Sequence, residues 1–326
     1  MTGHDIVVIG ASAGGVEALS QLVLQLPADL PVTVFVVQHV SATGSGALAQ
    51  ILDRAGPLPA TLAQDGETFK LAHIYVAPPN QHLLVKHGCL RLTCGPRENR
   101  VRPAIDPLFR SAAVAYGPRV VGVILTGLQD DGTAGLLAVK RCGGVTIVQD
   151  PTDALYPEMP QSALAYVEVD YQLPVARMGA VLYRLAYEVP VEPFPTPRDI
   201  VMEAEIAEGP PDIVNRDEAL GTLAPLTCPD CGGPLWELHN DRLQRYRCRL
   251  GHAFTADSLL GGQSEAIETA LWTAVRTMEE RARILMLMAR RRRDSQQHSL
   301  AARCEEQASE LQKHAQHLRK LLLDSL

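Results

Sequence analysis

The chain has 326 residues, of which 46% are hydrophobic, and it carries a formal net charge of −7 with a pI near 5.8. This length allows two domains with a large apolar core, and the acidic balance excludes a chain-wide basic surface for nucleic acid. No apolar run approaches the roughly 18 residues of a membrane span, and a strand pattern begins too early for a signal segment. We therefore expect a cytoplasmic protein that neither binds nucleic acid nor inserts into a membrane.

Residues 5–187 alternate short β-branched runs with helical patterns. The predicted strands are Ile6–Ile9, Val32–Gln38, Ile74–Ala77, Val120–Leu125 and Val145–Val148, and the predicted helices lie near 15–25, 45–54, 107–115, 133–142 and 175–187. This alternation predicts a doubly wound, Rossmann-like α/β domain with a mostly parallel sheet covered on both faces. Turn sequences interrupt it over residues 60–93 and predict a hairpin insertion there.

The first predicted strand ends in the turn Gly10-Ala-Ser-Ala-Gly14, directly before a helical pattern. Such a turn presents Ser12 beside free amide groups that can stabilise an oxyanion, but a helix N-terminus can also bind phosphate. Against a dinucleotide loop, Ser12 occupies the second glycine position, where a side chain hinders close approach of a pyrophosphate. An acidic residue would be expected after the second strand of such a site, and His39 stands there instead.

Complementary groups follow two other predicted strands. His39 comes directly after Val32–Gln38, and Asp130 and Asp131 lie in the turn after Val120–Leu125. Side chains that follow parallel strands collect at the carboxyl edge of the sheet. A nucleophilic serine needs a base within reach, and the base needs an orienting carboxylate. The strand ends therefore predict a site made of Ser12, His39 and one of the two aspartates.

Six separated motifs between residue 5 and about 187 carry a resemblance to a known family. They are Ile9-Gly-Ala-Ser-Ala-Gly-Gly15, Val37-Gln-His39, Tyr75-Val-Ala-Pro-Pro-Asn-Gln-His82, Arg102-Pro-Ala-Ile-Asp-Pro-Leu-Phe-Arg-Ser-Ala-Ala113, Val123-Ile-Leu-Thr-Gly-Leu-Gln-Asp-Asp-Gly132 and Met159-Pro160. In this order they resemble the catalytic domain of the chemotaxis protein-glutamate methylesterases. The resemblance implies hydrolysis of glutamate γ-methyl esters on methyl-accepting chemotaxis receptors or a related signalling protein, with deamidation of receptor glutamines as a second activity.

The same resemblance implies roles for individual residues. Ser12 would be the nucleophile, His39 the general base and Asp131, which directly precedes a glycine, the orienting carboxylate. The amides of Ala13 and Gly14 are candidates for the oxyanion site, and no cofactor is implied for catalysis.

Departures from the family pattern bear on rate and regulation. The family often has Thr where this chain has Ala13, and Met-Gly where it has Leu128-Gln129. Because no receiver domain precedes the first predicted strand, we expect no phosphorylation control in cis. Two alternatives remain open: a non-catalytic signalling adaptor with a degenerate esterase fold, and a nucleotide-binding α/β protein.

The C-terminal part divides differently. After a catalytic domain over 1–188, residues 189–224 are rich in proline and acidic residues and predict a linker. A module over 225–256 contains Cys228-Pro-Asp-Cys231 and Cys248-Arg-Leu-Gly-His252. Two such turns supply the four ligands of a closed, structural Zn²⁺ site, so we expect a small zinc-ribbon-like module stabilised by its metal.

Residues 257–326 predict a helical hairpin. In its second helix, apolar and small residues recur at alternating steps of three and four, at Ala301, Cys304, Ala308, Leu311, Ala315, Leu318 and Leu322. The stripe favours a hairpin that closes on itself, and a homodimer through the same stripe is the alternative.

Overall fold

The computed structural model describes residues 3–192, 195–209, 221–238 and 243–324. The chain forms two compact units, Met1–Leu259 and Leu260–Leu326. The first unit holds the predicted α/β domain and the cysteine-containing module, and the second holds most of the helical hairpin.

A parallel sheet of seven strands forms the centre of the first unit. The strands that precede the cysteine-containing module are β1 (Ile6–Ala11), β2 (Thr33–Gln38), β3 (Ala60–Leu62), β4 (His73–Val76), β5 (His82–Lys86), β6 (Cys89–Thr93), β7 (Val120–Ile124), β8 (Val145–Gln149) and β9 (Tyr171–Leu173). The sheet order is β3-β4-β2-β1-β7-β8-β9, with every pairing parallel, and β5 and β6 form a separate antiparallel hairpin. The predicted doubly wound sheet and the hairpin insertion are thus confirmed.

Helices cover both faces of this sheet. They are α1 (Gly15–Val23), α2 (Leu48–Ala55), α3 (Ile105–Tyr116), α4 (Thr133–Arg141), α5 (Glu158–Tyr166), α6 (Val175–Leu185) and α7 (Arg198–Glu208). One apolar core packs α1, α2 and α6 against the sheet, and the other packs α3, α4 and α5 against the opposite face. Every residue of β1 and β2 is buried, which explains why these strands are continuous apolar runs without alternation.

The segment predicted as a linker contains a helix that the sequence pattern does not predict. Helix α7 buries Ile200, Glu203, Ala204 and Ala207, at helical spacing. Ile200 is the only strongly apolar residue in this stripe, because the others are two alanines and a glutamate. Glu203 is buried through ion pairs rather than apolar contact. The domain boundaries stay a prediction, and residues 193–194 and 210–220 of the segment lie outside the described residues.

The cysteine-containing module is a four-stranded antiparallel sheet. Its strands are β10 (Thr222–Thr227), β11 (Pro234–Glu237), β12 (Arg245–Cys248) and β13 (Ala253–Thr255), in that order across the sheet. A small core of Leu235, Tyr246, Phe254 and Leu259 supports it. Residues 239–242, between β11 and β12, are outside the described part of the predicted module.

Two long helices, α8 (Ala256–Asp294) and α9 (His298–Asp324), follow the module. The predicted stripe on α9 is buried at Ala301, Cys304, Ala308, Ala315 and Leu322. It packs against Val275 near one end of the pair and Ala289 near the other, so the hairpin closes on itself. A homodimer through this stripe stays a prediction.

Candidate active site

Strand order brings the three predicted residues together. Strand β1 lies between β2 and β7, and all three strands run in the same direction. Ser12 directly follows β1, His39 directly follows β2, and Asp131 lies in the loop between β7 and α4. The three side chains therefore start from adjacent strand ends at one edge of the sheet.

The side chains form one hydrogen-bonded chain. His39 Nδ1 lies 3.0 Å from Ser12 Oγ, and His39 Nε2 lies 2.7 Å from Asp131 Oδ2. A carboxylate accepts hydrogen bonds and cannot donate them, so Nε2 carries the imidazole proton. The lone pair of a neutral His39 is then on Nδ1, facing the serine hydroxyl, which is the arrangement that a general base needs.

Asp131 is held as an anion. Besides His39, its oxygens accept hydrogen bonds from the amide of Ile105 at 2.7 Å and from Asn99 Nδ2 at 2.9 Å. Burial alone would raise the pKa of Asp131, but the hydrogen bonds from His39, Ile105 and Asn99 and the attraction of the imidazole outweigh it and lower the pKa. A carboxylate that stays charged can orient His39 and stabilise the imidazolium.

Among the described residues, the side chain of Asp130 makes no hydrogen bond with His39. Its side chain is buried without a hydrogen-bond partner at Oδ1. Burial is the main reason that its pKa rises to about 6, while a hydrogen bond from Thr255 opposes the rise and the charge of Asp131 adds to it. The positions of the strand ends did not distinguish Asp130 from Asp131 as the partner of the histidine. The hydrogen bond to His39 is made by Asp131.

The turn that carries Ser12 is fixed from the loop after β7. The amide of Ser12 donates to the carbonyl of Thr126, whose hydroxyl donates to the carbonyl of Ala13. Gly14 adopts a left-handed conformation with φ of 72°, which favours glycine and lets α1 begin there. Within the described residues, the amides of Ala13 and Gly14 donate no hydrogen bond to the protein, so both are available to a ligand.

Sequence analysis missed four residues that hold the site. Gln38 donates to the carbonyl of Ser12 at 2.7 Å, and Asp106 accepts from Asn99 and from the amides of Gly132 and Gly135. Gln38 directly precedes His39 in the second family motif, and Thr126 lies five residues before Asp131 in the fifth. Asp106 lies in the fourth motif. Asn99 gives no such signal, because it lies in a turn without a helix or strand pattern, and its partners Asp131, Thr255 and Ser258 are at least 32 residues away in the sequence.

Three other polar residues of the motifs have structural roles. His82 is buried, with Nε2 3.0 Å from the carbonyl of Pro96. Arg102 donates to Asn80 and to the carbonyls of Cys94 and Gly95. Arg110 is buried in an ion pair with Glu98 and is therefore not available to recognise an acidic partner surface.

The predicted metal ligands converge in the antiparallel module. The ligand atoms of Cys228, Cys231, Cys248 and His252 all lie within 4.8 Å of one another. Two sulfurs, of Cys231 and Cys248, are 3.7 Å apart, and His252 Nδ1 lies 3.4 Å from Cys248 Sγ and 3.7 Å from Cys228 Sγ. Bond lengths of about 2.3 Å to sulfur and 2.0–2.1 Å to nitrogen in a tetrahedron give separations of about 3.8 and 3.6 Å. The donors therefore fit Zn²⁺.

A doubly wound parallel sheet with a hydrogen-bonded serine, histidine and aspartate at its carboxyl edge is the architecture of an α/β serine hydrolase. Comparison with known proteins narrows the class. The family model described as CheB methylesterase matches residues 7–182. The chain therefore belongs to the CheB methylesterase family.

Individual relatives agree with the family match. A Leptospira interrogans protein named for protein-glutamate methylesterase and protein-glutamine glutaminase activity is 38% identical over 183 residues, which are 56% of this chain and 95% of that protein. A Xanthomonas campestris protein named protein-glutamate methylesterase/protein-glutamine glutaminase 1 is 40% identical over 189 residues, 57% of this chain and 52% of the relative. This chain thus spans about half the length of the Xanthomonas protein.

A solved structure supports the fold. The CheB methylesterase catalytic domain of Thermotoga maritima superposes with a TM-score of 0.54 at 35% identity, and the match covers 57% of this chain and 100% of that one. No helix in the described ranges combines the length and the apolar character needed to cross a bilayer.

Proposed function

We propose that the protein is a protein-glutamate methylesterase that hydrolyses glutamate γ-methyl esters on methyl-accepting chemotaxis receptors or a related signalling protein. The observation that carries the proposal is the continuous hydrogen-bonded chain from Ser12 through His39 to Asp131. It lies in a member of the CheB methylesterase family, whose relatives carry this activity in their names.

The proposed reaction proceeds through an acyl-enzyme. As Ser12 Oγ attacks the ester carbonyl carbon, its proton moves to His39 Nδ1, and a tetrahedral oxyanion forms. His39 then returns the proton to the departing methoxide, which leaves as methanol. Water then attacks the acyl-enzyme as His39 takes a proton from it. His39 gives that proton to Ser12 Oγ, which releases the glutamate side chain and free Ser12. Replacing the ester by a primary amide gives ammonia instead of methanol, so a glutaminase activity needs no additional residue.

The oxyanion is assigned to the turn after β1. The amides of Ala13 and Gly14 are available for donation, whereas the amide of Ser12 already donates to Thr126. Fixed backbone donors stabilise developing charge without having to reorganise during the reaction. Ala13 in place of the family's frequent Thr leaves these amides in position, so it bears on substrate fit or rate.

An apolar rim around the triad suits a protein substrate. Val40 follows His39 and is 40% exposed, and Leu128 in the loop before Asp131 is 43% exposed. Leu155, which faces Gly14, is 71% exposed. Exposed apolar side chains grouped around a site mark a surface for a macromolecular partner, and an amphipathic receptor helix presents a matching face.

A cleft of about 310 Å³ adjoins the same rim. Gln38, Val40 and Ser41 line it on the side of His39, and Ile51 and Pro79 line it on the other. It is large enough for one or two apolar side chains of a receptor helix next to the modified glutamate.

In the C-terminal module we propose a structural Zn²⁺ site made of Cys228, Cys231, Cys248 and His252. Four protein ligands leave no open coordination position for catalysis. The ion would stabilise a sheet whose own core is small. Thiolate ligands of this kind persist in a reducing compartment, in agreement with the expected cytoplasmic location.

The proposed function is tested with radiomethylated receptor membranes, by measuring released methanol. Ser12→Ala and His39→Ala should abolish release, while Ser20→Ala, a serine on α1 that donates to its own helix at the carbonyl of Val16, should retain it. Labelling by an active-site serine probe in the parent but not in Ser12→Ala would support a hydrolase. Absence of both release and labelling in the folded parent would instead favour the non-catalytic adaptor.

A further inference from the structure

The cysteine-containing module contacts the loop around Asn99, which supports the triad. His252 directly precedes β13, and Ala253, the first residue of that strand, donates its amide to the carbonyl of Arg97. The amide of Asn99 in turn donates to the carbonyl of Ala253 at 2.8 Å. The strand that begins next to a metal ligand is therefore paired with residues 97–99 of the catalytic part.

Asn99 joins the two sides through its carboxamide. Its oxygen accepts hydrogen bonds from the amide of Thr255 and the hydroxyl of Ser258, both at 3.2 Å. Its nitrogen donates to Asp131 and Asp106, both at 2.9 Å. Asn99 is 4% exposed, so these protein groups surround it almost completely.

The donors on the module side are themselves fixed. The Thr255 hydroxyl accepts from the amide of Ser258 at 3.1 Å, and the Ser258 hydroxyl accepts from the amide of Thr255 at 2.9 Å. This reciprocal pair is a capping box at the start of α8. Because the box sets the orientation of the Ser258 hydroxyl, the end of β13 fixes where the oxygen of Asn99 can lie.

Buried ion pairs hold the module against the same loop. Arg247, next to the ligand Cys248, is fully buried and donates to Glu98 and Glu203. Glu98, next to Asn99, also pairs with Arg110 on α3. Buried charges are tolerated only while they are paired, so displacement of the module would leave these groups without compensation. The docked arrangement is therefore strongly specified.

We propose that Asn99 is a positioning residue for the triad. Through Asn99, the cysteine-containing module fixes the position of the Asp131 carboxylate, and Asp131 in turn fixes the orientation of the His39 imidazole. Hydrolysis by the triad then depends on the module being folded around its metal. The inference rests on the proposed esterase function for its kinetic consequence, while its structural consequence at His39 is independent of any substrate.

Three variants test the hydrogen bonds that Asn99 donates to the aspartates separately from those that it accepts from the module. Asn99→Gly removes the whole carboxamide without strain, because Asn99 has a φ of 49° that glycine adopts readily. Asn99→Asp keeps an acceptor for the module but replaces the donor to Asp131 by a negatively charged oxygen. Ser258→Ala keeps the donor to Asp131 and removes a donor from the module. Ser264→Ala, an exposed serine of α8 that donates to the carbonyl of Leu260, is the matched control.

The readouts are the kcat and KM of methanol release and the downfield proton signal of His39 Nε2–H, which reports the bond to Asp131. We expect Asn99→Gly to lower kcat by on the order of 10-fold with KM nearly unchanged, because transition-state geometry rather than binding is affected. Asn99→Asp should lower kcat further. Ser258→Ala should lower it less, by roughly 3-fold, and Ser264→Ala should match the parent. The proton signal should broaden or move in the first three variants only.

Removal of the metal tests the link without mutation. Chelation of Zn²⁺ from the full chain should lower kcat and broaden the His39 signal, and return of Zn²⁺ should restore both. In Asn99→Gly, where the link is already cut, chelation should change the signal much less than in the parent.

The inference is overturned if Ser258→Ala and chelation leave both kcat and the His39 signal unchanged in folded protein, whatever Asn99→Gly does. It is also overturned if the variants raise KM and leave kcat unchanged. A parent that releases no methanol would contradict the proposed function instead, and the proton signal would still decide whether the module sets His39.

Discussion

Asp106 and Asp131 accept hydrogen bonds from the same nitrogen, Asn99 Nδ2, yet their pKa values move in opposite directions. Burial alone would raise the pKa of Asp131, but the hydrogen bonds from His39, Ile105 and Asn99 lower it by more, so its pKa falls. The pKa of Asp106 rises to about 8, first because it is buried and second because the charge of Asp131 repels a second anion. At neutral pH the pair therefore holds one negative charge, on the carboxylate that contacts the imidazole.

The raised pKa of Asp106 predicts a pH-dependent stability. In the unfolded chain this carboxyl ionises near its ordinary value of 3.8, and in the folded protein near 8. Between these values only the unfolded state loses the proton, so Asp106 lowers the stability progressively as the pH rises through this window. Asp106→Asn cannot ionise. Its free energy of unfolding relative to the parent should therefore rise from pH 5 to pH 7.5, by on the order of 1 kcal/mol per unit.

Urea denaturation of the parent and Asp106→Asn at several pH values measures this difference. The hydrogen bonds that the amide cannot reproduce add an offset at every pH, so the slope rather than the sign of the difference is diagnostic. A difference that stays constant between pH 5 and pH 7.5 would contradict the raised pKa.

Asp131→Asn should lower kcat by about 10³- to 10⁴-fold. An asparagine that turns its carbonyl away presents N–H groups to Nε2 and stabilises the tautomer with the proton on Nδ1, which cannot accept the proton of Ser12. Asp130→Asn is the matched control, since Asp130 makes no hydrogen bond with His39 in the described part of the chain, and it should keep kcat within about 3-fold. Methanol release from radiomethylated receptor membranes measures both variants. Equal losses in the two would show that the hydrogen bond to His39 is not the reason.

The apolar rim predicts a loss of receptor binding without a loss of chemistry. Leu155→Ser should raise KM for receptor membranes roughly 5- to 10-fold, because an exposed leucine at an interface contributes about 1–1.5 kcal/mol. Leu24→Ser is the control, because Leu24 is similarly exposed, at 68% against 71%, and lies at the end of α1 away from the Ser12 turn. Hydrolysis of a small methyl ester should be unaffected by either change. An equal effect of both on KM would argue against a docking role for the rim.

The cluster of Cys228, Cys231, Cys248 and His252 predicts that each chain binds one metal ion and that the folded protein is more stable with the ion bound. The purified chain should hold one Zn²⁺, and Cys231→Ser should reduce both metal content after dialysis and the thermal midpoint. Cys94→Ser is the control, since Cys94 is another exposed free thiol, outside the cluster. Atomic emission and thermal unfolding measure the two effects. Retention of the full metal content by Cys231→Ser would exclude this thiolate as a ligand.

Much of the catalytic part could be predicted because its information is local. A buried apolar strand followed by a glycine-rich turn and a helix gives β1, the Ser12 turn and α1 from consecutive residues. His39 and the aspartate pair are found by the same rule at two other strand ends. The Cys-x2-Cys and Cys-x3-His spacings likewise carry their own geometry, and the four ligand atoms do converge.

Other features were missed because their signal is weak or distant. Strand β9 and the short strand β3 have only three residues each, too few to give a pattern. Helix α7 has one strongly apolar residue, Ile200, in its buried stripe, and the rest of the stripe is small alanines and Glu203. Glu203 is buried in ion pairs that include Arg245 and Arg247, about forty residues later. No hydropathy pattern can reveal an element whose burial depends on ion pairs with another module.

The sequence by itself determined which strands end in which functional groups, and so it identified Ser12, His39 and the two aspartates as candidates. The family motif already favoured Asp131 over Asp130, but only the tertiary structure decided that β1 lies between β2 and β7 and that Asn99 connects the Asp131 carboxylate to β13. The physical reason is that strand order, burial and shared hydrogen bonds arise between segments far apart in the chain. Local propensity and spacing carry no record of those pairings.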